Sequence, residues 1–138
     1  MSAPVWVDTS AFAAAANRHE GERHDRAVAE FQRLAETGLR LECSSHIFSE
    51  TVTLIRRRAG HSTAVAFLDG FSTARVLHIV RPSRQEEDAA LSLFRRYRDL
   101  EFSHCDCVTA AMMNARRTRE IFTFDQDFRI LGFRTLPE

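Results

Sequence analysis

The sequence predicts an α/β fold, a short and mainly parallel sheet with helices on both faces. Two observations predict it. Short apolar runs of strand length alternate with longer segments whose apolar residues recur at helical spacing. Turn and cap signals fall between these segments, and neither a linker nor a repeat interrupts them. At 138 residues, 44% of them hydrophobic, the chain carries one domain, residues 1–138, that buries roughly two thirds of its unfolded surface.

Taken in order, Val5-Trp6-Val7 is an apolar run closed by Asp8-Thr9-Ser10, the pattern of a buried strand entering a helix N-cap. Alanine-rich residues 11–16 continue as helix, and Gly21 breaks it. Ala27, Val28, Phe31, Leu34 and Ala35 then recur at helical spacing until Thr37-Gly38. Residues 39–43 read as a second strand, and Ser44-Ser45 caps a helix over 45–59. Gly60-His61-Ser62 separates that helix from another over 63–71. Residues 75–80 form a third strand, closed by Pro82, and a long helix covers 83–100 with Gln85, Glu86, Glu87 and Asp88 at its positive end. A helix over 106–117 follows, then a strand over 121–124 and a candidate fifth strand over 133–136.

Composition narrows the chemistry. The 19 basic residues balance 19 acidic ones, so any nucleic-acid or membrane contact must be local. All the basic residues are Arg. Without a lysine, P-loop NTPase, Schiff-base, Ser-x-x-Lys and kinase mechanisms are excluded, whereas the planar guanidinium fork still suits phosphate oxygens. Cys43, Cys105 and Cys107 are odd in number and lack zinc-finger spacing, which predicts reduced thiols. No run approaches the ~18 apolar residues of a membrane span, and residues 1–4 lack a leader pattern, so a cytoplasmic location is expected.

In open α/β sheets, sites form beyond the carboxyl ends of strands, near the switch in strand order. Asp8 directly follows the first strand and Asp125 the fourth, within Thr123-Phe124-Asp125-Gln126-Asp127-Phe128, so both project from one sheet edge. Asp106 opens a helix whose first turn can face that edge. Glu50 lies three residues after Ile47 and four before Leu54, which predicts a half-buried, inward carboxylate. Singly, each has an ordinary explanation: Asp8 and Asp106 as helix caps, Asp125 and Asp127 as turn residues, Glu50 as helix surface. Together they make a charge problem. At ~5 Å and an effective dielectric of ~20, each like-charged pair costs about 3 kcal/mol, which protons or a divalent cation must relieve. Oxygen-only ligands suit Mg²⁺ or Mn²⁺, and such ions polarise phosphodiesters and activate water. Metal-assisted phosphodiester hydrolysis is the chemistry this pattern predicts.

Four stretches resemble PIN-domain motifs, in the family's order and across essentially the whole chain: Val5-Trp6-Val7-Asp8-Thr9-Ser10, Phe48-Ser49-Glu50-Thr51-Val52, Ser103-His104-Cys105-Asp106-Cys107-Val108, and Thr123 to Phe128. Length and architecture resemble the VapC-type toxin ribonucleases of bacterial type II toxin–antitoxin pairs. The resemblance implies a PIN-like α/β/α sandwich with a short, mainly parallel central sheet. It implies a Mg²⁺- or Mn²⁺-dependent endoribonuclease, an RNA substrate, a VapB-like antitoxin partner and a homodimer. By the same match, Asp8, Glu50, Asp106 and Asp125 carry over as catalytic, metal-holding acids, with Asp127 as a candidate fifth. Thr9 and Thr123 carry over as hydroxyl supports. The Cys105-Asp106-Cys107 context departs from the small apolar residues commoner there, which points to an oxidation-sensitive site.

The decoys are set aside on geometry. Consecutive side chains in His104-Cys105-Asp106-Cys107 point in different directions and do not enclose one zinc ion. The clusters Arg56-Arg57-Arg58, Arg95-Arg96-Arg98 and Arg116-Arg117-Arg119 lie at helix ends, where the helix dipole explains them and RNA backbone contact is the sharper alternative. Phe12, Phe31, Phe67, Phe71 and Phe94 sit at core-like spacings that also suit a groove or dimer surface. Two alternatives stand beside the toxin: a PIN-domain nuclease of RNA maturation without antitoxin, and an inactive PIN-like binding module.

Overall fold

The structure, a computed structural model, describes residues 3–138; Met1 and Ser2, the first two residues of the expected domain, lie outside the described residues. The chain runs β1 (Val5–Val7), α1 (Thr9–Ala16), a 3₁₀ turn (Arg18–Glu20), α2 (Glu22–Thr37), β2 (Leu41–Ser44), α3 (Ser45–Ala59) and α4 (His61–Thr73). Then come β3 (Leu77–Val80), α5 (Arg84–Arg96), α6 (His104–Ala115), β4 (Glu120–Phe122), α7 (Asp127–Ile130) and β5 (Arg134–Leu136).

The five strands pair in the order β3-β2-β1-β4-β5, every pair parallel. The chain builds outward from β1 through β2 to β3, then crosses back to lay β4 on the other side of β1. The switch in strand order therefore falls between β1 and β4. There Asp8 N–H donates to Phe122 O at 2.9 Å, closing the seam just past the end of β1.

Both faces of the sheet are covered, because successive strand residues point to opposite sides and both sides are apolar. Val5, Val7 and Phe122 join Phe12, Ala14, Leu34 and Ile47 in one core. Trp6 and Ile121 join Val108, Met112, Met113 and Phe128 in the other. The seam strands β1 and β4 thus feed both cores, which fixes the edge from which the acids emerge.

Several boundaries differ from the sequence reading, each for a local reason. α5 stops at Arg96, four residues short of the expected end, where Tyr97 leaves helical geometry and packs edge-on to Phe102 at 6.4 Å. α6 begins at His104 because Ser103 caps it: Ser103 Oγ accepts from Asp106 N–H, and the Asp106 carboxylate accepts from Ser103 N–H. Only Gly60, at φ 94°, separates α3 from α4. The short helix α7, which begins two residues after Asp125, has no counterpart in the sequence reading. Among the described residues no helix is long and apolar enough to cross a membrane.

Candidate functional site

Asp8 occupies the N-cap position of α1 without capping it, since its side chain makes no bond to the helix backbone. Its carboxylate turns across the seam instead. Thr123 Oγ1 donates to Asp8 Oδ2 at 2.7 Å and Ser10 Oγ donates to the same oxygen at 3.0 Å. The other oxygen, Oδ1, is buried with no hydrogen-bond partner in a residue only 4% exposed. Burial holds the Asp8 carboxyl above its ordinary range, the bonds from Thr123 and Ser10 and the nearby Thr9 backbone N–H oppose it, and the charge of Asp125 adds to the rise.

Thr123 and Ser10 tie the neighbouring loop to this carboxylate. Thr123 Oγ1 accepts from Asp125 N–H at 2.9 Å, and Ser10 Oγ accepts from Phe124 N–H at 3.0 Å. Asp125 in turn caps the loop, its Oδ1 accepting from Asp127 N–H at 2.9 Å. That turn bond occupies one oxygen of the Asp125 carboxylate. The Thr9 hydroxyl faces away from this network and accepts from Thr51 Oγ1 at 3.4 Å.

Asp106 stands at the third position of α6, with one oxygen held in the capping box. Burial and the charges of Asp8 and Glu50 push its carboxyl up to about 7, against the cap bonds from Ser103. Glu50 corrects one expectation. It is exposed, because the buried stripe of α3 is Ile47, Thr51 and Ile55, and Glu50 flanks that stripe at the mouth of the site. Asp8, Glu50, Asp106 and Asp125 line one hollow of about 370 Å³, shared with Ser10 and Ser103. Asp127 does not line it; it sits in the first turn of α7. Cys107 is buried in one core while Cys105 packs against the other, so the His104-Cys105-Asp106-Cys107 run encloses no ion. Burial, with the charges of Glu50, Asp106 and Asp8, pushes the Cys105 thiol above its ordinary range, which disfavours the thiolate that oxidation requires.

The donor set fits a hard divalent cation. It is all oxygen, one of those oxygens is buried without a proton donor, and two of the acids are held above their ordinary range by burial and mutual repulsion. Among the described residues no three Asp, Glu, His or Cys side chains stand close enough together to hold a metal ion as they are placed. The acids line an open cup, as repelling carboxylates should. Ser10 and Ser103 went unassigned in the sequence reading, although the patterns Asp-x-Ser and Ser-x-x-Asp carried the signal for both. Arg23 and Arg58 also line the hollow, and only three-dimensional proximity brings them there.

A family model for the PIN domain matches residues 5–134. The 23S rRNA-specific endonuclease VapC20 from two strains of Mycobacterium tuberculosis is 32% identical over 130 residues, 94% of this chain and 95% of VapC20. The crystal structure of M. tuberculosis VapC20, a sarcin-ricin loop cleaving toxin, is similar with a TM-score of 0.80 at 30% identity, covering 94% of this chain and 96% of that one. VapBC2 from Rickettsia felis, bound to a DNA fragment from its promoter, shares the fold with a TM-score of 0.72 at 16% identity, covering 96% and 97%.

Proposed function

The chain belongs to the PIN-domain family, and from that premise we propose that it is a divalent-metal-dependent endoribonuclease acting as the toxin of a type II toxin–antitoxin pair. The observation that carries the reading is the free Oδ1 of Asp8, buried beside the hollow that Glu50, Asp106 and Asp125 also line. The 32% identity to a 23S rRNA-specific endonuclease supports the activity and makes ribosomal RNA the first substrate to test. The family match over residues 5–134 supports reading 1–138 as one PIN-like ribonuclease domain.

Asp8, Glu50, Asp106 and Asp125 are the residues that would hold Mg²⁺ or Mn²⁺, with Asp127 outside the cup. When bound, such an ion polarises the phosphodiester and lowers the pKa of the attacking water. Thr123 and Ser10 fix Asp8 Oδ2, so that Oδ1 is the oxygen left for a ligand. The Ser103 backbone holds Asp106 Oδ2, and the Asp127 backbone holds Asp125 Oδ1, leaving each acid a second oxygen. Glu50, the only one of the four in the exposed class, is suited to orient the attacking water. The expected products carry a 3′-hydroxyl and a 5′-phosphate.

A VapB-like antitoxin, homodimerisation and a cytoplasmic location complete the reading. An open apolar groove of about 470 Å³, lined by Phe12, Phe31, Phe67 and Phe71, supports a protein partner. The deciding experiment expresses the chain and its Asp8→Asn and Asp106→Asn variants and maps RNA ends with and without EDTA. Cleavage by the unaltered chain alone, abolished by EDTA, is expected. Undiminished cleavage by either variant would remove that acid from the mechanism.

A further inference from the structure

Beside the acid cup lies a group of charges that the proposed reaction does not use. The guanidinium carbons of Arg23 and Arg26 lie 5.2 and 5.4 Å from the centroid of one ring, that of Phe124. Both are exposed, and neither forms an ion pair among the described residues, whose bridges engage Arg33, Arg40, Arg116, Arg134 and His46. Two like charges therefore converge on one aromatic surface. They do so in the first two turns of α2, where the helix dipole disfavours cations. Glu22 and Asp25 share that first turn and Glu20 lines the hollow, yet none of them pairs with either guanidinium. The arrangement suits an outside anion.

Its placement says which one. Phe124 N–H donates to Ser10 Oγ, and Ser10 Oγ donates to Asp8 Oδ2, so the ring carrying both arginines is two hydrogen bonds from the deepest acid of the cup. Arg23 lines the same hollow as the four acids, and so does Arg58 from the last turn of α3. A negative floor with a guanidinium rim matches a chain of phosphates with one bound over the acids and its neighbours held at the edge.

We propose that Arg23 and Arg26, braced on Phe124, grip the RNA backbone beside the scissile phosphodiester and set the register of the strand over the acid cup. The inference rests on the nuclease reading and adds positioning residues to it. Guanidinium suits the task because it is planar, stacks on the ring and retains donors for phosphate oxygens.

The test measures cleavage kinetics of the full chain on single-stranded RNA. Alongside it runs the salt dependence of binding of a fluorescein-labelled RNA to the Asp8→Asn chain. Arg23→Gln and Arg26→Gln are each expected to raise KM several-fold with kcat within about twofold, and to lower the slope of log K against log salt by about 0.7. Arg23→Lys should restore the slope while recovering only part of the affinity, because the stacked plane is lost. Unchanged KM and slope in both Gln variants would overturn the proposal. So would a fall in kcat at constant KM, which marks a disturbed Ser10–Phe124 link rather than lost grip. Weakened binding of polyglutamate with RNA binding intact would assign the patch to a protein and also overturn it. The two readings fail separately: cleavage that survives Asp106→Asn sinks the nuclease mechanism, while the salt slope still judges the arginines.

Discussion

Thr123 Oγ1 donates to Asp8 Oδ2 at 2.7 Å across 115 positions of sequence, and the same hydroxyl accepts from Asp125 N–H at 2.9 Å. One side chain thereby orients two acids that lie past the ends of neighbouring parallel strands. Thr123→Val keeps the shape and removes both bonds. Groups that orient metal ligands typically contribute 10–100-fold to affinity, so Mn²⁺ binding by isothermal titration should weaken about tenfold. Unchanged Mn²⁺ affinity would show that the hydroxyl only ties the loop down.

The acid cup also sets a pH dependence in metal-free protein. The Asp106 carboxyl lies at about 7 against an ordinary 3.8, and burial raises Asp8 as well. The native state therefore holds protons that the unfolded chain has released. Stability from these groups is full below the ordinary value and is lost as pH rises through about 7. Urea midpoints in EDTA should fall between about pH 5 and pH 8, and Asp106→Asn should flatten that slope. Mg²⁺, which binds the ionised form, should raise the midpoint most at the alkaline end. A midpoint in EDTA that rises over the same range would contradict the repulsion on which the site rests.

Much of this was legible in the residues. The apolar runs around Trp6, Cys43, Ile79 and Ile121 located the strands, and Asp8 and Asp125 could be placed on one edge because each directly follows such a run. What sequence could not supply was orientation. Helical spacing put Glu50 near the buried stripe of α3, but the side on which it emerges depends on how α3 packs on its neighbours. Asp106 read as the opening residue of its helix, since the Ser103 cap lies three positions earlier and competes with an equally plausible start. Phe12, Phe31, Phe67 and Phe71 are core and groove wall at once, whereas Phe94 is 52% exposed, a division that no periodicity encodes. Arg23 and Arg26 meet Phe124 only through the crossover that brings β4 beside β1.

Away from the site, Glu86 joins two helices that pack on the second core. Its carboxylate takes two bonds from Arg116, both at 2.9 Å, and closes the capping box of α5 with Ser83. Glu86 is 6% exposed, and the Arg116 guanidinium holds its carboxyl below the ordinary range. Removing one partner of a buried pair costs about 3–5 kcal/mol, but the Arg116 side chain is 35% exposed and water recovers part of that. Glu86→Ala should therefore cost about 2 kcal/mol by urea denaturation, with Glu86→Gln milder because the cap survives. The pair's contribution should be present above the ordinary 4.5 of a glutamate and be lost as pH falls below it. A loss in Glu86→Ala no larger than that of a surface change would mean that the pair contributes only geometry.

Thr109 offers the opposite sign. It is wholly buried within α6, and its hydroxyl has no partner, not even the carbonyl one turn earlier that helical threonines commonly use. The protein therefore carries the desolvation cost of a hydroxyl without a compensating bond. Valine has nearly the same shape and a similar helix propensity, so Thr109→Val removes the cost without opening a cavity. Stability should rise by about 1 kcal/mol, read as a higher urea midpoint at constant m-value, while RNA cleavage is unaffected because Thr109 does not line the acid hollow. A fall in stability would reveal that the hydroxyl is bonded in solution, and would place a buried water or a shifted carbonyl beside it.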